Sequence, residues 1–358
     1  MSQPSTYEQY LLELINADRA QVGAQPLASN TLLDQAAEDH SEWMINTDIF
    51  SHSGAGGSDP GTRMTAAGYT FGGSSWTWGE NIAWASTRAP DGYQDEVSLL
   101  HTNLMNSPGH RENLLNGDFK EVGLGFEIGE YQGWQGAFVT EDFARSGTGS
   151  LLTGVAYNDT NGNHFYDPGE GLGGITVDAV DSTGTHFTTT TMDAGGYNLN
   201  LTLGTYSVTF RAESGATPAQ SVTIGASNVK VDAVDPTFAT VLEANGATRL
   251  DQVGTHFYFD DPSTGSGPSL KYTGTDVIAG QFGGGWTPIS AEKTASGYEV
   301  AWKVADQDLY TVWDTDANGN YTGHAIGGVS GSDPSLQRLE TSFAHDLNGD
   351  GHIGLLLA

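Results

Sequence analysis

Apolar residues fall at helical spacing in the first third of the chain and at strand spacing through most of the rest. Tyr7, Leu11, Leu14 and Ile15 share a face and Gly23 stops the run, which predicts a helix from Tyr7 to Val22. Asn30 is a good cap for a second helix from Thr31 to Met44, with Leu33, Ala37, His40 and Met44 on one face. His40 there reads as a packed core histidine rather than a ligand, and Trp43 as core. A third helix is expected over Tyr93 to Asn106, where Tyr93, Val97, Leu100 and Leu104 align with His101 beside them. Between these helices, Ser51 to Gly79 is rich in Gly, Ser and Asp. It reads as a long loop with one short helical piece around Thr62 to Ala67, and loops of this length in a compact domain are functional or disordered. Two strands follow, EVGLGFEI and WQGAFVTEDF, with a turn at Gly129 to Gly133. Helices flanking a small antiparallel sheet make an α+β layout.

After RSGTGS, a short linker at Arg145 to Ser150, the pattern becomes alternating strands separated by glycine turns: LLTGVAY, GITVDAV, HFTTTT, GYNLNL, GTYSVTF and AQSVTI. They predict an immunoglobulin-like β-sandwich ending near Pro236. From about Thr248 a third, β-rich region begins, in which Trp286, Trp302 and Trp313 recur. Spaced tryptophans can stack on sugars or fill a small core, and core is the favoured reading. The expected domains are therefore 5–145, 150–236 and 248–358.

Composition narrows what these domains meet. Forty-four acids against thirteen bases give a formal charge of −31, which excludes nucleic acid and an anionic membrane as partners. It suits calcium-rich or salty extracellular water. Forty-nine glycines agree with β structure, and the absence of cysteine removes disulfides as staples. No run of 18 apolar residues exists to span a membrane. The start, MSQPSTYEQY, lacks the basic and apolar run of a secretory signal, so retention in the cell or export by another address is expected.

The chemistry concentrates in NSPGHRENLLN, Asn106 to Asn116. Ser107 suits an N-cap and Pro108 the first helical position, which sets His110 in the first turn, where the helix dipole disfavours imidazolium. A neutral imidazole is what a metal ligand or a general base requires. Leu114 and Leu115 would anchor the helix. Alone, this is equally a capped helix with a surface histidine; upstream, FSHSG offers His52 and WGENIAW offers Glu80.

Together with the VGxGF strand at Val122 to Phe126, these stretches resemble the bacterial branch of the CAP superfamily over about residues 5 to 145. The resemblance implies a three-layer αβα sandwich with a cavity tetrad of two histidines and two glutamates. His52, Glu80 and His110 carry over; the second glutamate position holds Ser107 and a preceding tryptophan position holds Leu104. Asn81 reads as a buried hydrogen-bonding residue. Two histidines and a carboxylate match a His2Glu zinc set with an open position, which makes zinc a candidate cofactor held by His52 and His110. Without metal, Glu80 could orient one imidazole and the pair act as acid and base.

In the second domain, Asp159, Asn161, Asn163, the Phe165 carbonyl, Asp167 and Glu170 stand at positions one, three, five, seven, nine and twelve of a calcium loop. His164 replaces the usual glycine at position six, so the turn is expected to be shifted or strained; the competing reading is an ion-free run of Asx turns. The segment resembles the B-type repeats of Gram-positive adhesins, whose DxxGxY turn would be Asp193, Gly196 and Tyr197, and this implies a rigid calcium-dependent spacer. Weaker calcium candidates are Asp314, Asp316 and Asn318, and Asp346, Asn348 and Asp350, whose twelfth positions fall on Ala325 and Leu357. The last region is similar to tryptophan-rich C-terminal modules of secreted bacterial proteins, which often accompany type I export without an N-terminal signal.

Three function classes remain: a His-lined cleft, with or without a metal, for a small or lipid-like extracellular ligand; a metal-dependent hydrolase, peptidase-like, using His52, Glu80 and His110; and an adhesion or matrix protein with a vestigial cleft that contacts a cell surface. The first is the favoured expectation.

Overall fold

The computed structural model describes residues 3–72, 75–146, 149–212, 215–262 and 267–355. It divides into two compact units, Met1–Phe210 with Gln220–Pro236, and Arg211–Ala219 with Thr237–Ala358.

In the first unit, helix α1 (Thr6–Gln21) begins at a capping box: Ser5 Oγ accepts from the Glu8 N–H and the Glu8 carboxylate accepts from the Ser5 N–H at 2.6 Å. Strand β1 (Ala28–Ser29) leads to α2 (Thr31–Thr47), capped by the Asn30 side chain on the Leu32 N–H. Helix α3 (Pro60–Ala66) starts from Asp59 as cap with proline first, and β2 (Thr77–Ser86) follows. The expected loop, Ser51 to Gly79, loses only Thr77 to Gly79 to β2, a strand that the mixed Trp, Gly and Asn content around GENI conceals from periodicity. Helices α4 (Gln94–Asn106) and α5 (Pro108–Leu115) meet at Ser107. Strands β3 (Glu121–Tyr131) and β4 (Trp134–Arg145) form a hairpin through Gln132 and Gly133, both with positive φ, as a two-residue turn that matches strand twist requires.

The sheet order is β1-β3-β4-β2, leaving β2 at an edge. Val122, Leu124 and Phe126 point from β3 into a core with Leu11, Ile15, Val97, Leu100, Leu104 and Leu114 from α1, α4 and α5. On the other face, α2 lies so close to β3 that a Cβ at Gly123 would sit 1.9 Å from the Leu33 carbonyl carbon, and one at Gly125 2.3 Å from that of Ala37. The glycines of VGxGF thus let a helix rest directly on a strand. This is an αβα sandwich within an α+β protein.

The sandwich strands belong to the same unit. Strand β5 (Ser150–Tyr157) pairs with β8 (Gly196–Leu201); β6 (Thr176–Val180), β7 (His186–Thr190), β9 (Gly204–Ala212) and Gln220–Ile224 make the facing sheet. Of the expected linker, Arg145 ends β4 and Ser150 begins β5, while Gly147 and Thr148 lie outside the described residues. These strands are not tethered at a distance. Val155, Tyr157 and Tyr166 enter the core of α1 and α4. Lys230 pairs with buried Glu13 at 2.9 Å, and Asn228 Nδ2 donates to the Lys120 carbonyl at 2.7 Å.

In the second unit, Ala239–Glu243, Arg249–Val253 and His256–Asp260 form an antiparallel meander. Trp286–Lys293, Gly297–Val304, Tyr310–Asp316 and Tyr321–Val329 form a four-stranded antiparallel sheet. One face of that sheet carries Tyr298, Val300, Trp302 and Trp313 against Phe257 and Phe259; the other packs Ala301, Tyr310 and Val312 on α6 (Pro334–Phe343) through Leu336 and Phe343. Among the described residues no helix is long and apolar enough to cross a membrane.

Candidate functional site

The three sequence-predicted residues gather at the edge strand. Glu80, on β2, is buried, and its Oε1 accepts from His52 Nδ1 at 2.7 Å. Its Oε2 takes the Arg63 guanidinium, which also donates to the His52 carbonyl at 3.0 Å and to the Ser58 carbonyl at 3.1 Å. Arg63 is in reach because Asp59 and Pro60 start α3 three residues earlier. One cation therefore fixes both the loop that carries His52 and the carboxylate that orients its ring. With Nδ1 bonded to Glu80, the imidazole, 55% exposed, turns Nε2 away from that bond.

His110 stands in the first turn of α5, as its spacing from Ser107 and Pro108 dictates. Ser107 has the extended backbone of an N-cap, but its hydroxyl makes no capping bond; only its carbonyl serves, accepting from the Arg111 N–H at 2.9 Å. Burial, and secondarily the charge of His52, lower the His110 pKa, so this ring is neutral at neutral pH; among the described residues its buried Nδ1 has no partner. The helix is held at both ends. Asn81 Nδ2 donates to the His110 carbonyl at 3.1 Å, and fully buried Arg19 donates to the Leu114 carbonyl at 2.7 Å, a cation at the negative end of α5.

Three residues that sequence reasoning missed complete the surroundings. Arg63 is one. Glu141 and Asp142, consecutive acids on β4, are both fully buried, one on each face of the sheet. Burial pushes the Glu141 carboxyl up to about 8; one oxygen accepts from Asn81 at 2.9 Å and the other has no partner among the described residues. Asp142 lies behind Glu80, and burial followed by the Glu80 charge raises it well above the usual carboxylate range, so it is a protonated acid facing a carboxylate. Two acids together in an otherwise apolar strand were the available signal. His40, by contrast, is core: buried, stacked on Trp43, with Nε2 at 3.0 Å from the Ser51 carbonyl, and pushed down to about 4 by burial and the Arg63 charge.

Zinc needs three protein ligands and an open position. Here Glu80 is already committed to His52 and Arg63, which leaves two imidazoles beside a guanidinium. Among the described residues no group of three or more His, Cys, Asp or Glu side chains is placed to hold a metal ion. This donor set does not fit a His2Glu zinc centre. A cavity of about 660 Å³ adjoins α5, lined by Met105, Asn106, Pro108, Arg111 and Leu115.

The 159–170 loop closes on itself. Asp159 Oδ1 accepts from the Gly162 and Asn163 N–H groups and Oδ2 from that of His164; Asn161 accepts from Asn163, and Asn163 from Phe165. Asp167 Oδ2 accepts from both asparagine side chains, and Glu170 from the Thr160 and Asp167 N–H groups. The turn is not shifted: His164 takes φ +60°, the left-handed conformation usually given to glycine. The DxxGxY residues lie near α1: the Asp193 N–H donates to Gln3, a Cβ on Gly196 would meet Gln9, and the Tyr197 hydroxyl donates to the Val231 carbonyl.

The two later acidic turns differ. Asp314 is on a strand opposite Glu299, and Asp316 binds the N–H groups of Asn318 and Asn320 across a hairpin turn, so this run is not a loop of the same kind. Asp346, Asn348 and Asp350 repeat the 159 pattern bond for bond, from Gly349, Asp350 and Gly351 to Asp346 and from His352 to Asp350. Leu357, at position twelve, lies outside the described residues. Buried Glu340 of α6, six residues ahead of the loop, accepts from the Asn348 and Gly354 N–H groups, much as Glu170 does from its own loop.

Residues 12–143 match the cysteine-rich secretory protein (CAP) family model, 151–252 the SdrD B-like domain, and 249–354 the tryptophan-rich Synechocystis species C-terminal domain. The uncharacterized protein YkwD of Bacillus subtilis (strain 168) is 35% identical over 125 residues, which are 35% of this chain and 44% of that protein, so the chain spans under half of its relative. An extracellular SCP-domain protein of Bacillus anthracis shows 30% identity over 38% of this chain and 40% of its own, with a TM-score of 0.29. An outer surface protein of Borrelia burgdorferi shows 16% identity over 40% and 96%, with a TM-score of 0.31. From its N-terminal side onward, the chain carries a CAP domain, an SdrD B-like domain and a tryptophan-rich C-terminal domain, in that order.

Proposed function

We propose that this is an extracellular or cell-surface CAP protein in which residues 5–145 bind a small, lipid-like or peptide ligand at the open edge of His52 beside neutral His110. The observation that carries this reading is the lock on Glu80. Its carboxylate is shared by His52 and Arg63, which makes it a positioning group for the imidazole rather than a free base for water. An extracellular setting is supported by the SCP-domain relative named as extracellular and by an acidic surface suited to salty water. The B-like domain would be steadied by calcium at Asp159, Asn161, Asn163, Phe165, Asp167 and Glu170, with a second ion at Asp346, Asn348 and Asp350 closed by Glu340.

A second reading rests on the same hydrogen bond. A histidine backed by a carboxylate is the arrangement of a general base and its orienter, and with His110 neutral the pair could pass a proton without metal. The two readings part on turnover. The full chain, carrying ¹³C-labelled histidine, would be titrated with palmitate, a sterol–cyclodextrin complex, short peptides and zinc, alongside His52→Ala/His110→Ala. Binding predicts saturable shifts of both rings with an organic probe and no product. Tight one-to-one zinc uptake lost in the double variant, or hydrolysis of an ester or peptide, would replace it with the hydrolase.

A further inference from the structure

We propose that the tryptophan-rich domain carries a pocket for one neutral sugar ring, floored by Trp302 and walled by Trp286 and Trp313. The cavity holds about 220 Å³ and is lined by Phe282, Trp286, Trp302, Thr311, Trp313 and His324. Strand register assembles it. Trp302 pairs with Thr311 on the neighbouring strand, and Trp313 with His324 on the next, so these side chains share a sheet face.

Polar groups in the pocket choose the ligand. Trp302 is only 2% exposed, and among the described residues its buried indole N–H has no acceptor, although a buried indole N–H ordinarily finds one. Thr311 Oγ1 gives its proton to the Ile326 carbonyl at 2.8 Å and meets His324 Nδ1 at 3.2 Å. A hydroxyl whose proton is already committed can only accept, so the imidazole carries its proton on Nδ1 and leaves Nε2 as an acceptor. The residues lining the pocket therefore carry one unsatisfied buried donor, which a small turn of the Trp302 ring would present to a guest, and one acceptor on His324, among aromatic faces.

A hydroxyl answers both, since it accepts from the indole and donates to the imidazole. The C–H face of a pyranose answers the rings; Trp302 and Trp313 already sit 4.7 Å apart, and half-buried Trp286 and Phe282 stand at the mouth. A purely apolar guest would leave the indole N–H unpaired, a cation would oppose it, and an anion would enter against a net charge of −31. At this volume one ring enters, not an oligosaccharide.

Indole N–H resonances of the ¹⁵N-tryptophan-labelled full chain would be followed during titration with methyl α-glucoside, methyl α-galactoside and N-acetylglucosamine, with benzene as the apolar probe. Trp302→Phe identifies the Trp302 signal. The expected result is a saturable downfield shift of that signal with at least one sugar, abolished in Trp286→Ala. Binding should weaken about tenfold in His324→Ala, which removes one hydrogen bond from an exposed ring that packs edge-on against Trp313 and Tyr321. Benzene binding with no response to any sugar would overturn the proposal in favour of an apolar guest. A flat response to all probes, or sugar shifts unchanged in both Trp286→Ala and His324→Ala, would overturn it outright.

Discussion

Glu80 joins His52 and Arg63: one carboxylate oxygen is 2.7 Å from His52 Nδ1 and the other holds the guanidinium, with the side chains of Glu80 and Arg63 only 2% and 10% exposed. Breaking a buried ion pair from one side strands the other charge, at a cost of roughly 3–5 kcal/mol. Glu80→Ala is therefore expected to destabilise the first unit by about that much in urea unfolding. Glu80→Gln, which keeps an acceptor, should cost less, and His52→Ala, at a half-exposed ring, about 1 kcal/mol or less. Equal, small losses for all three would show that Arg63 finds compensation elsewhere.

Glu141 should make stability fall with rising pH. Its folded pKa is about 8 against 4.5 for the free side chain. Below 4.5 both states hold the proton and its contribution is fully present. Between 4.5 and 8 only the folded state holds it, so stability is lost across this window and the loss is complete above 8. Glu141→Gln mimics the protonated form and can still accept from Asn81. The variant should match the parent near pH 4 and exceed it by a few kcal/mol near pH 8. Thermal melts of both proteins from pH 4 to 9 check this, and parallel curves would refute the assignment.

Gly123→Ala and Gly125→Ala should each prevent stable folding of the first unit. The new methyl would overlap backbone atoms of α2, at 1.9 Å and 2.3 Å, and backbone cannot swing aside as a side chain can. A loss above about 4 kcal/mol, or insoluble protein, is expected. Gly109→Ala, where an added Cβ meets nothing, is the control and should fold normally. Soluble, parent-like Gly123→Ala protein would mean that α2 does not sit on β3 in this way.

Periodicity reached the three long helices, the β3–β4 hairpin and the main sandwich strands because each buries one face, as Leu11 and Ile15 or Val122, Leu124 and Phe126 show, but it delimited no strand of the last region. It missed β2, since Thr77–Ser86 carries Glu80 and Asn81 where an alternating strand would carry apolar residues. His52, Glu80 and His110 were legible from their short motifs. Arg63, Glu141 and Asp142 were not, because their roles come from tertiary neighbours: a guanidinium is tied to a loop eleven residues earlier, and carboxyls become acids only once buried. Glu340 escaped for a related reason. It serves its loop from a helix upstream, whereas spacing rules look twelve residues ahead.

Calcium is expected to steady more than the B-like strands, because the 159–170 loop is bonded to the CAP helices. Gln94 of α4 donates to Asp167 at 2.5 Å, the Gly169 N–H donates to Thr6 Oγ1 at 2.6 Å, and the Tyr166 hydroxyl meets the same Thr6 oxygen at 3.1 Å. An ion that binds only the folded loop raises the stability of everything that unfolds with it. Calcium should therefore raise the melting temperature of the first unit as a whole, read both by CAP-domain aromatic signals and by far-ultraviolet dichroism. Glu170→Gln should remove most of that rise. His164→Gly, which relieves a left-handed backbone held by a non-glycine residue, should stabilise the calcium form by up to about 1 kcal/mol. If chelation moves neither probe, the loop is an ion-free turn. If it moves the strands but not the CAP signals, the two domains do not unfold together.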